Sequence, residues 1–225
     1  MLCIIKMTIT EDTFIISDTH FGHDNIIAYE PCRTTLADLY SVSNSIDIAN
    51  KVNHRLVENW NNAIGKNDTV LHLGDLAWGG QDKIKIWAKR LNGNIILIKG
   101  NHDRGSYAFY KELGIDLIEG VHLLLGGTYD LINTPKHVNA LITELASKRI
   151  MFSHFPVENY IEHDLYYKPA TEKLFEIFEK YNCDINIHGH VHSHSIQESP
   201  FCINASIEVT DFKPARIKNI LNNNK

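Results

Sequence analysis

Five short apolar runs, each ending in a polar cluster, dominate the hydrophobic pattern of the chain. Each run has four to six residues rich in Ile, Val and Leu, a pattern typical of buried β-strands. The runs occupy residues 13–17, 69–73, 94–99, 149–152 and 184–187.

Between these runs, apolar residues recur at steps of three and four, which predicts amphipathic helices. This periodicity covers residues 47–64, 81–91 and 171–181, and Gly93 follows the second of them as a stop signal. Strands that alternate with helices predict an α/β fold with a mainly parallel sheet covered on both faces. Ligands bind such sheets beyond the carboxyl ends of the strands, where all five polar clusters lie.

Three stretches depart from this alternation. Residues 21–46 show no clean helix, and 114–138 predict a β-hairpin that turns at 126–127. Near the end of the chain, 201–209 and 211–217 could form two further strands. The sequence contains no internal repeat and no linker, so we expect a single domain over the whole chain, residues 1–225.

Composition narrows the range of partners. The chain has 225 residues, 44% hydrophobic and 22% charged, which is ordinary for a soluble globular protein. Its net charge of -5 argues against a surface that neutralises many phosphates of long DNA or RNA. The negative net charge does not exclude a small phosphoester or nucleotide as substrate, because a bound metal can supply positive charge.

Cysteine usage and hydropathy predict a cytoplasmic protein. The four cysteines form no CxxC pair and no zinc spacing, so we expect reduced thiols. The first twelve residues turn polar too quickly for a signal peptide, and no apolar run reaches about 18 residues. We therefore expect no membrane partner.

The five polar clusters form a set of candidate metal ligands. They are Asp18-Thr-His20, Gly74-Asp75, Gly100-Asn101-His102-Asp103, Ser153-His154 and Gly189-His190-Val-His192. Besides His102 and Asp103 they supply two carboxylates, one amide oxygen and four imidazoles, which suits two divalent metals with one carboxylate bridging. Such donors favour Mn²⁺, Fe, Zn²⁺ or Ni²⁺ over Ca²⁺ or Cu(I). Each motif alone is weak evidence for a metal site. Five motifs that each close a predicted strand are specific evidence for one.

The set of motifs resembles the calcineurin-like metallophosphoesterases from about residue 13 to residue 194. This resemblance implies an αββα sandwich, in which two mixed sheets pack face to face with helices outside. It also implies phosphoester hydrolysis with two divalent metal ions, of which Mn²⁺ is our first expectation.

The resemblance also implies a role for each motif residue. One metal would be held by Asp18, His20, Asp75 and His192. The second would share Asp75 and take Asn101, His154 and His190. His102 matches the family's histidine that does not bind metal and lies beside the scissile phosphate. A metal-bound hydroxide would then attack phosphorus, and His102 would protonate the leaving oxygen as a general acid.

One motif departs from the family pattern. Protein Ser/Thr phosphatases of the family carry GDxxDRG, whose second Asp partners the catalytic histidine, whereas this chain has Trp78 there. Protein phosphatase activity is therefore not expected, and Asp103 becomes the candidate group that orients His102. His23 and Arg104 could bind substrate phosphate, although both could be ordinary surface residues.

The remaining histidines receive structural interpretations. His72 is expected to be packed or to support the ligands, and His188 and His194 are treated as structural. Four others are expected to be solvated: His54, His122, His137 and His163.

The preferred function is a phosphodiesterase acting on a small nucleotide-type substrate. A monoester dianion carries one more negative charge, and Arg104 is the only cation directly after a motif. The alternatives are a phosphomonoesterase, a nuclease on short nucleic acid, or a scaffold that binds metal without catalysis. A base could stack on one of five aromatic residues, which could equally pack the insertions onto the sheet: Tyr29, Tyr40, Tyr107, Phe109 and Tyr129.

Overall fold

Two β-sheets form the centre of the molecule in a computed structural model that describes residues 8–37, 44–158, 166–194 and 199–223. The first sheet contains, in spatial order, Ala215–Arg216 (β11), Phe14–Ile16 (β1), Thr69–His72 (β2), Asn94–Ile98 (β3) and Asp116–Ile118 (β4). The second contains Cys202–Asn204 (β10), Ile185–His188 (β9), Lys148–Ser153 (β8), Ala140–Leu145 (β7), Val121–Leu125 (β5) and Thr128–Ile132 (β6).

Both sheets are mixed. In the first, β1 to β4 run parallel and β11 adds an antiparallel edge strand. In the second, β8, β9 and β10 run parallel, while β7 is antiparallel to β8 and β6 is antiparallel to β5. The five strands predicted from the apolar runs are confirmed, and so are the further strands at the C-terminal end.

Helices lie between these strands in the sequence. Their bounds are Ile26–Tyr29 (α1), Ser45–Ala63 (α2), Gln81–Ala88 (α3), Tyr107–Glu112 (α4), Lys168–Lys180 (α5) and Ile217–Asn223 (α6), with 3₁₀ helices at Pro31–Leu36 and Ile207–Val209. The three predicted helices correspond to α2, α3 and α5. The short α6 was not predicted, because the polar Asn run at the end of the chain resembles a frayed tail.

Side-chain alternation along the strands builds the layers. In β1, Ile15 points into the core between the two sheets, where it joins Leu71 and Phe152. Its neighbours Phe14 and Ile16 point the other way, into a core shared with α2, α3 and α4. This arrangement needs apolar residues on both faces of the strand, which explains the continuous apolar runs.

The helical layers are fixed by one apolar face each. In α2 the side chain of Asn44 caps the helix by accepting a hydrogen bond from the Asp47 N–H, and Leu56 and Trp60 face the first sheet. On the opposite side of the molecule, Leu174 of α5 packs on the outer face of the second sheet. The αββα sandwich of two mixed sheets flanked by helices is therefore confirmed.

The predicted hairpin joins β5 to β6. Gly126 and Gly127 turn it with φ of 57° and 74°, a left-handed backbone that glycine adopts without strain. Cys32, Cys183 and Cys202 are free thiols. None of the helices within the described ranges is long and apolar enough to cross a membrane.

Candidate metal centre

The five motifs meet at one rim, beyond the carboxyl ends of β1, β2, β3, β8 and β9. Their backbone is unusual there. The left-handed region, with φ between 48° and 70°, is adopted by five motif residues: Asp18, His20, Asp75, His190 and His192. Such a conformation costs a non-glycine residue roughly 1–2 kcal/mol and persists where the surrounding structure enforces it. The loops are thus held in shapes that direct polar side chains to a common point.

Motif glycines allow these loops to touch. A Cβ built on Gly100 would lie 2.7 Å from the backbone nitrogen of Asp75. A Cβ on Gly189 would lie 2.6 Å from Cβ of Ser17 and would also overlap the carboxylate of Asp18. Real Cβ atoms do not approach that closely, so glycine at these two positions is a packing requirement of the site.

A first group of candidate ligands consists of Asp18, His20 and His192. Oδ1 of Asp18 lies 4.0 Å from Nε2 of His20 and 3.9 Å from Nε2 of His192. Asp18 and His20 are buried. Within the described part of the chain, Oδ1 of Asp18 and both ring nitrogens of His20 have no hydrogen-bond partner. Buried polar atoms without partners are costly, and a cation held between Oδ1 of Asp18 and one ring nitrogen of His20 would satisfy two of these three atoms.

The second group joins Asp18, Asp75 and His154, with Asn101 beside it. Nδ1 of His154 lies 3.0 Å from the carbonyl oxygen of Leu73, so it carries the ring proton and donates it. Nε2 of His154 must then present a lone pair, yet it lies 2.7 Å from Oδ1 of Asn101. Two acceptor atoms that close repel each other unless a cation binds both.

Asp75 lies between the two groups. Its Oδ2 is 3.4 Å from Nε2 of His20 and 3.6 Å from Nε2 of His154, so one oxygen is shared. Its Oδ1 accepts a hydrogen bond of 2.8 Å from the His102 backbone N–H, which fixes the carboxylate plane. The geometry fits a bridging carboxylate.

The buried carboxylates of Asp75 and Asp18 call for additional positive charge at this centre. Burial raises the pKa of Asp75 well above its usual value, and the carboxylates of Asp103 and Asp18 raise it further. Burial also opposes ionisation of Asp18, but the imidazoles of His192, His154 and His20 hold its pKa below the usual range. Divalent cations would favour the ionised form of both carboxylates. The donor set therefore fits a pair of metal ions.

His190 contributes differently. Its backbone N–H donates to Oδ2 of Asp18 at 2.8 Å, and its ring centre lies 5.1 Å from that of His154 and 4.5 Å from that of Phe155. Its ring is thus beside the second group, although its nitrogens fall outside the two tight sets of ligand atoms.

An open cleft of about 480 Å³ lies above this centre. It is lined by His20, His23, Asp24, Asn25, Ile26, Tyr29, Glu30, Asp75, Trp78, Lys83, His102, His190, His192 and His194. The predicted substrate residue His23 is therefore in the cleft, with its ring 4.0 Å from that of Trp78. Arg104 is exposed and is not among the lining residues.

The environment of His102 differs from the one predicted. Asp103 does not orient its imidazole, because the Asp103 carboxylate accepts the backbone N–H groups of Asp75, Leu76 and Gly100 at 2.8, 3.0 and 2.8 Å. That carboxylate ties two motif loops together instead. The His102 ring packs against Trp78, with ring centres 4.7 Å apart, and its Nε2 lies 4.0 Å from Oδ2 of Asp75.

The supporting histidine His72 is packed as expected. Its Nδ1 accepts the Gly74 N–H at 3.2 Å, so Nε2 carries the proton and donates to Oγ1 of Thr19 at 3.0 Å. Oγ1 of Thr19 in turn donates to the Leu76 carbonyl at 2.7 Å. Burial lowers the pKa of His72 to about 3. The chain of bonds joins the first motif loop to the second.

Among the histidines expected to be solvated, His54 is exposed, whereas His122 is buried and the prediction for it is wrong. His122 lies 3.1 Å from the Tyr129 hydroxyl and 3.2 Å from the Glu119 carbonyl, contacts across the hairpin that periodicity does not reveal. His137 is half-buried, and His163 lies outside the described residues.

Sequence analysis also missed three residues at or beside the cleft. Lys83 reaches it from the start of α3, and no motif marks it. Arg33 and Glu208 form a buried ion pair behind the first motif. Of the aromatic residues proposed for stacking, Tyr29 lines the cleft, Tyr107, Phe109 and Tyr129 do not, and Tyr40 lies outside the described residues.

Comparison with known proteins agrees with this architecture. A sequence model of the calcineurin-like phosphoesterases matches residues 13–194. A crystallised protein of unknown function from Aquifex aeolicus is similar in structure, with a TM-score of 0.64 and 30% sequence identity. That alignment covers 93% of this chain and 97% of the other.

Two relatives are similar in sequence. An uncharacterised protein of Methanocaldococcus jannaschii is 26% identical over 212 residues, covering 91% of this chain and 86% of its own length. The gene 66 protein of Mycobacterium phage L5 is 25% identical over 190 residues, covering 81% and 78% of the two chains.

Proposed function

Because the chain belongs to the calcineurin-like phosphoesterase family, whose members depend on metal ions, we propose that it hydrolyses phosphodiesters of small nucleotides with two divalent cations. We take Mn²⁺ as the first metal to test, with Fe, Zn²⁺ and Ni²⁺ as alternatives that the same donors accept. We propose a cytoplasmic location, which the free thiols of Cys32, Cys183 and Cys202 support.

The shared position of Asp75 is the observation that carries this proposal. Its Oδ2 lies 3.4 Å from His20 and 3.6 Å from His154, so one carboxylate can serve two ions. We assign Asp18, His20, Asp75 and His192 to one ion, and Asp75, Asn101, His154 and His190 to the other. Two such ions, when bound, neutralise phosphate oxygens and lower the pKa of a nucleophilic water.

His102 is proposed to protonate the leaving oxygen. Its side chain is 34% exposed at the cleft, and Trp78 packs against the ring. Burial, together with His190 and His23, lowers the pKa of His102 to about 4, so the ring is neutral at pH 7 on its own. A bound phosphoester places negative charge beside the ring and favours its protonated form, the state that a general acid needs.

The charge of the cleft favours a diester over a monoester. Among its described lining residues Lys83 is the only Lys or Arg, whereas Asp24 and Glu30 are acidic. A monoester dianion needs more compensating charge than this lining offers outside the metal centre. Long nucleic acid is disfavoured for the same reason, given the net charge of -5.

A nucleoside is proposed to lie against the aromatic wall of the cleft. The Trp78 ring is half-buried between the His23 ring, 4.0 Å away, and the His102 ring, 4.7 Å away. Tyr29 extends the wall at the outer side of His23, with ring centres 6.1 Å apart. Aromatic faces of this kind stack with any base and give affinity without strong base selectivity.

The test compares bis-nitrophenyl phosphate with mono-nitrophenyl phosphate under saturating Mn²⁺, followed by cyclic and linear dinucleotides. We expect a higher kcat/KM for the diester. A clear preference for the monoester would leave a general phosphatase. Turnover of neither ester by protein that holds two equivalents of metal would instead support the scaffold alternative.

A further inference from the structure

Behind the first candidate ligand group lies a buried ion pair that no motif includes. Arg33 and Glu208 come from segments 175 residues apart, and both side chains have a relative exposure of 0%. Nε of Arg33 donates to Oε1 of Glu208 at 2.8 Å, and Nη2 reaches the same oxygen at 2.5 Å. Ion pairs buried this deeply give little net stability, so another role should be sought for this one.

The guanidinium of Arg33 also holds the first motif loop. Its Nη1 donates to the Thr19 carbonyl at 2.9 Å, and Nη2 donates to the Asp18 carbonyl at 2.6 Å. These are the carbonyls of the left-handed turn that directs the Asp18 and His20 side chains, with φ of 57° and 48°. Arg33 therefore stabilises a backbone shape that would be unfavourable on its own.

The carboxylate of Glu208 holds the third member of the same group. Its Oε1 lies 3.0 Å from Nδ1 of His192. A carboxylate paired with Arg33 can only accept, so Nδ1 of His192 carries the ring proton. In the neutral form of the His192 ring the lone pair is then on Nε2, which faces Oδ1 of Asp18 at 3.9 Å. Carboxylates that orient histidine ligands in this way raise the basicity of the ligand.

We propose that Arg33 and Glu208 are positioning residues for one of the two metal sites, the one formed by Asp18, His20 and His192. This inference rests on the metal centre of the proposed function. It adds that the two sites are supported unequally: Asp18 belongs to both groups, but Glu208 orients His192 in the first, whereas the Leu73 backbone carbonyl orients His154 in the second. Loss of the Glu208 charge should therefore weaken one ion and spare the other.

The experiment is a calorimetric titration of the full chain with Mn²⁺, comparing wild type with Glu208→Gln. Gln keeps the shape and an acceptor oxygen but removes the charge. We expect wild type to bind two equivalents, and the variant to bind one of them about 10–100-fold more weakly with the other unchanged. Glu119→Gln is the matched control, because Glu119 pairs with Lys99 at an exposed position. Leu117→Ala controls for loss of stability in the core.

Unchanged binding of both equivalents in Glu208→Gln would overturn the inference. Equal weakening of both equivalents would overturn it too, because that is the effect expected of a general loss of stability such as Leu117→Ala causes. A nitrogen-detected NMR spectrum of Zn²⁺-loaded wild type provides a test that needs no variant. We expect the proton of the His192 ring on Nδ1, and a proton on Nε2 would overturn the assignment. Failure of wild type to bind two equivalents would refute the metal centre itself, a result distinct from either of these.

Discussion

The substitution Asp75→Asn tests whether Asp75 binds metal or has only a structural role in its loop. Oδ1 of Asp75 accepts the His102 N–H, and an Asn side chain keeps that acceptor, so the loop should keep its shape. The change falls on Oδ2, which lies within 4 Å of candidate ligands of both groups. An amide there removes one negative charge from both sites at once.

The size of the effect follows from Coulomb's law. Two unit charges 4 Å apart in a partly buried site interact by about 4 kcal/mol, and a divalent ion should lose at least that. Each ion is therefore expected to bind at least about 10³-fold more weakly, and turnover should be abolished. The free energy of unfolding of the metal-free protein, by contrast, should not decrease. Burial raises the pKa of Asp75, so its charge opposes folding, and the neutral Asn should leave the apo-protein at least as stable.

The assay combines elemental analysis, Mn²⁺ titration and thermal unfolding in the presence of a chelator. Asp82→Asn, the same substitution at an exposed position of α3, is the control and should match wild type in all three. An active Asp75→Asn variant that holds two full equivalents of metal would refute the bridging role.

Three further predictions concern other parts of the site. His102→Ala should keep both metals and lose roughly 10²–10⁴ in kcat, with a smaller loss for nitrophenolate, which needs no proton; equal losses for good and poor leaving groups would contradict the acid role. Gly189→Ala should displace Asp18, reducing metal content and Tm, whereas Gly80→Ala, which has open space for a Cβ, should keep the metal content. His72 is buried with a pKa of about 3, so the unfolded chain binds its proton first as pH falls. Stability should therefore be retained above pH 6.5 and lost by roughly 1.4 kcal/mol per pH unit between 6.5 and 3, and His72→Gln should flatten that slope in chemical denaturation.

The site could be located from the sequence because its ligands follow strands. A buried strand leaves a continuous apolar run. Asp18 stands directly after one, and Asp75 and Asn101 each follow one after a single glycine. Parallel strands place their carboxyl ends at one rim, so distant ligands could be predicted to meet.

Contacts between segments that lack hydrophobic periodicity could not be predicted from the sequence. Glu208 and Arg33 each lie in a short 3₁₀ helix, and only the folded chain brings them together behind His192. Lys83 was missed for a similar reason, since it lies in an ordinary polar position of α3. Adjacency to His102 in sequence does not place the Asp103 carboxylate against the His102 ring, because that carboxylate accepts backbone N–H groups of two motif loops.

We propose that two metal ions act together in phosphodiester hydrolysis by this protein. The most direct measurement is turnover of bis-nitrophenyl phosphate by metal-depleted protein as Mn²⁺ is added in known equivalents. We predict that activity rises to a plateau at two equivalents, and that Asp75→Asn stays inactive throughout. Full activity at one equivalent, or activity in the presence of excess chelator, would contradict a mechanism that needs two metal ions.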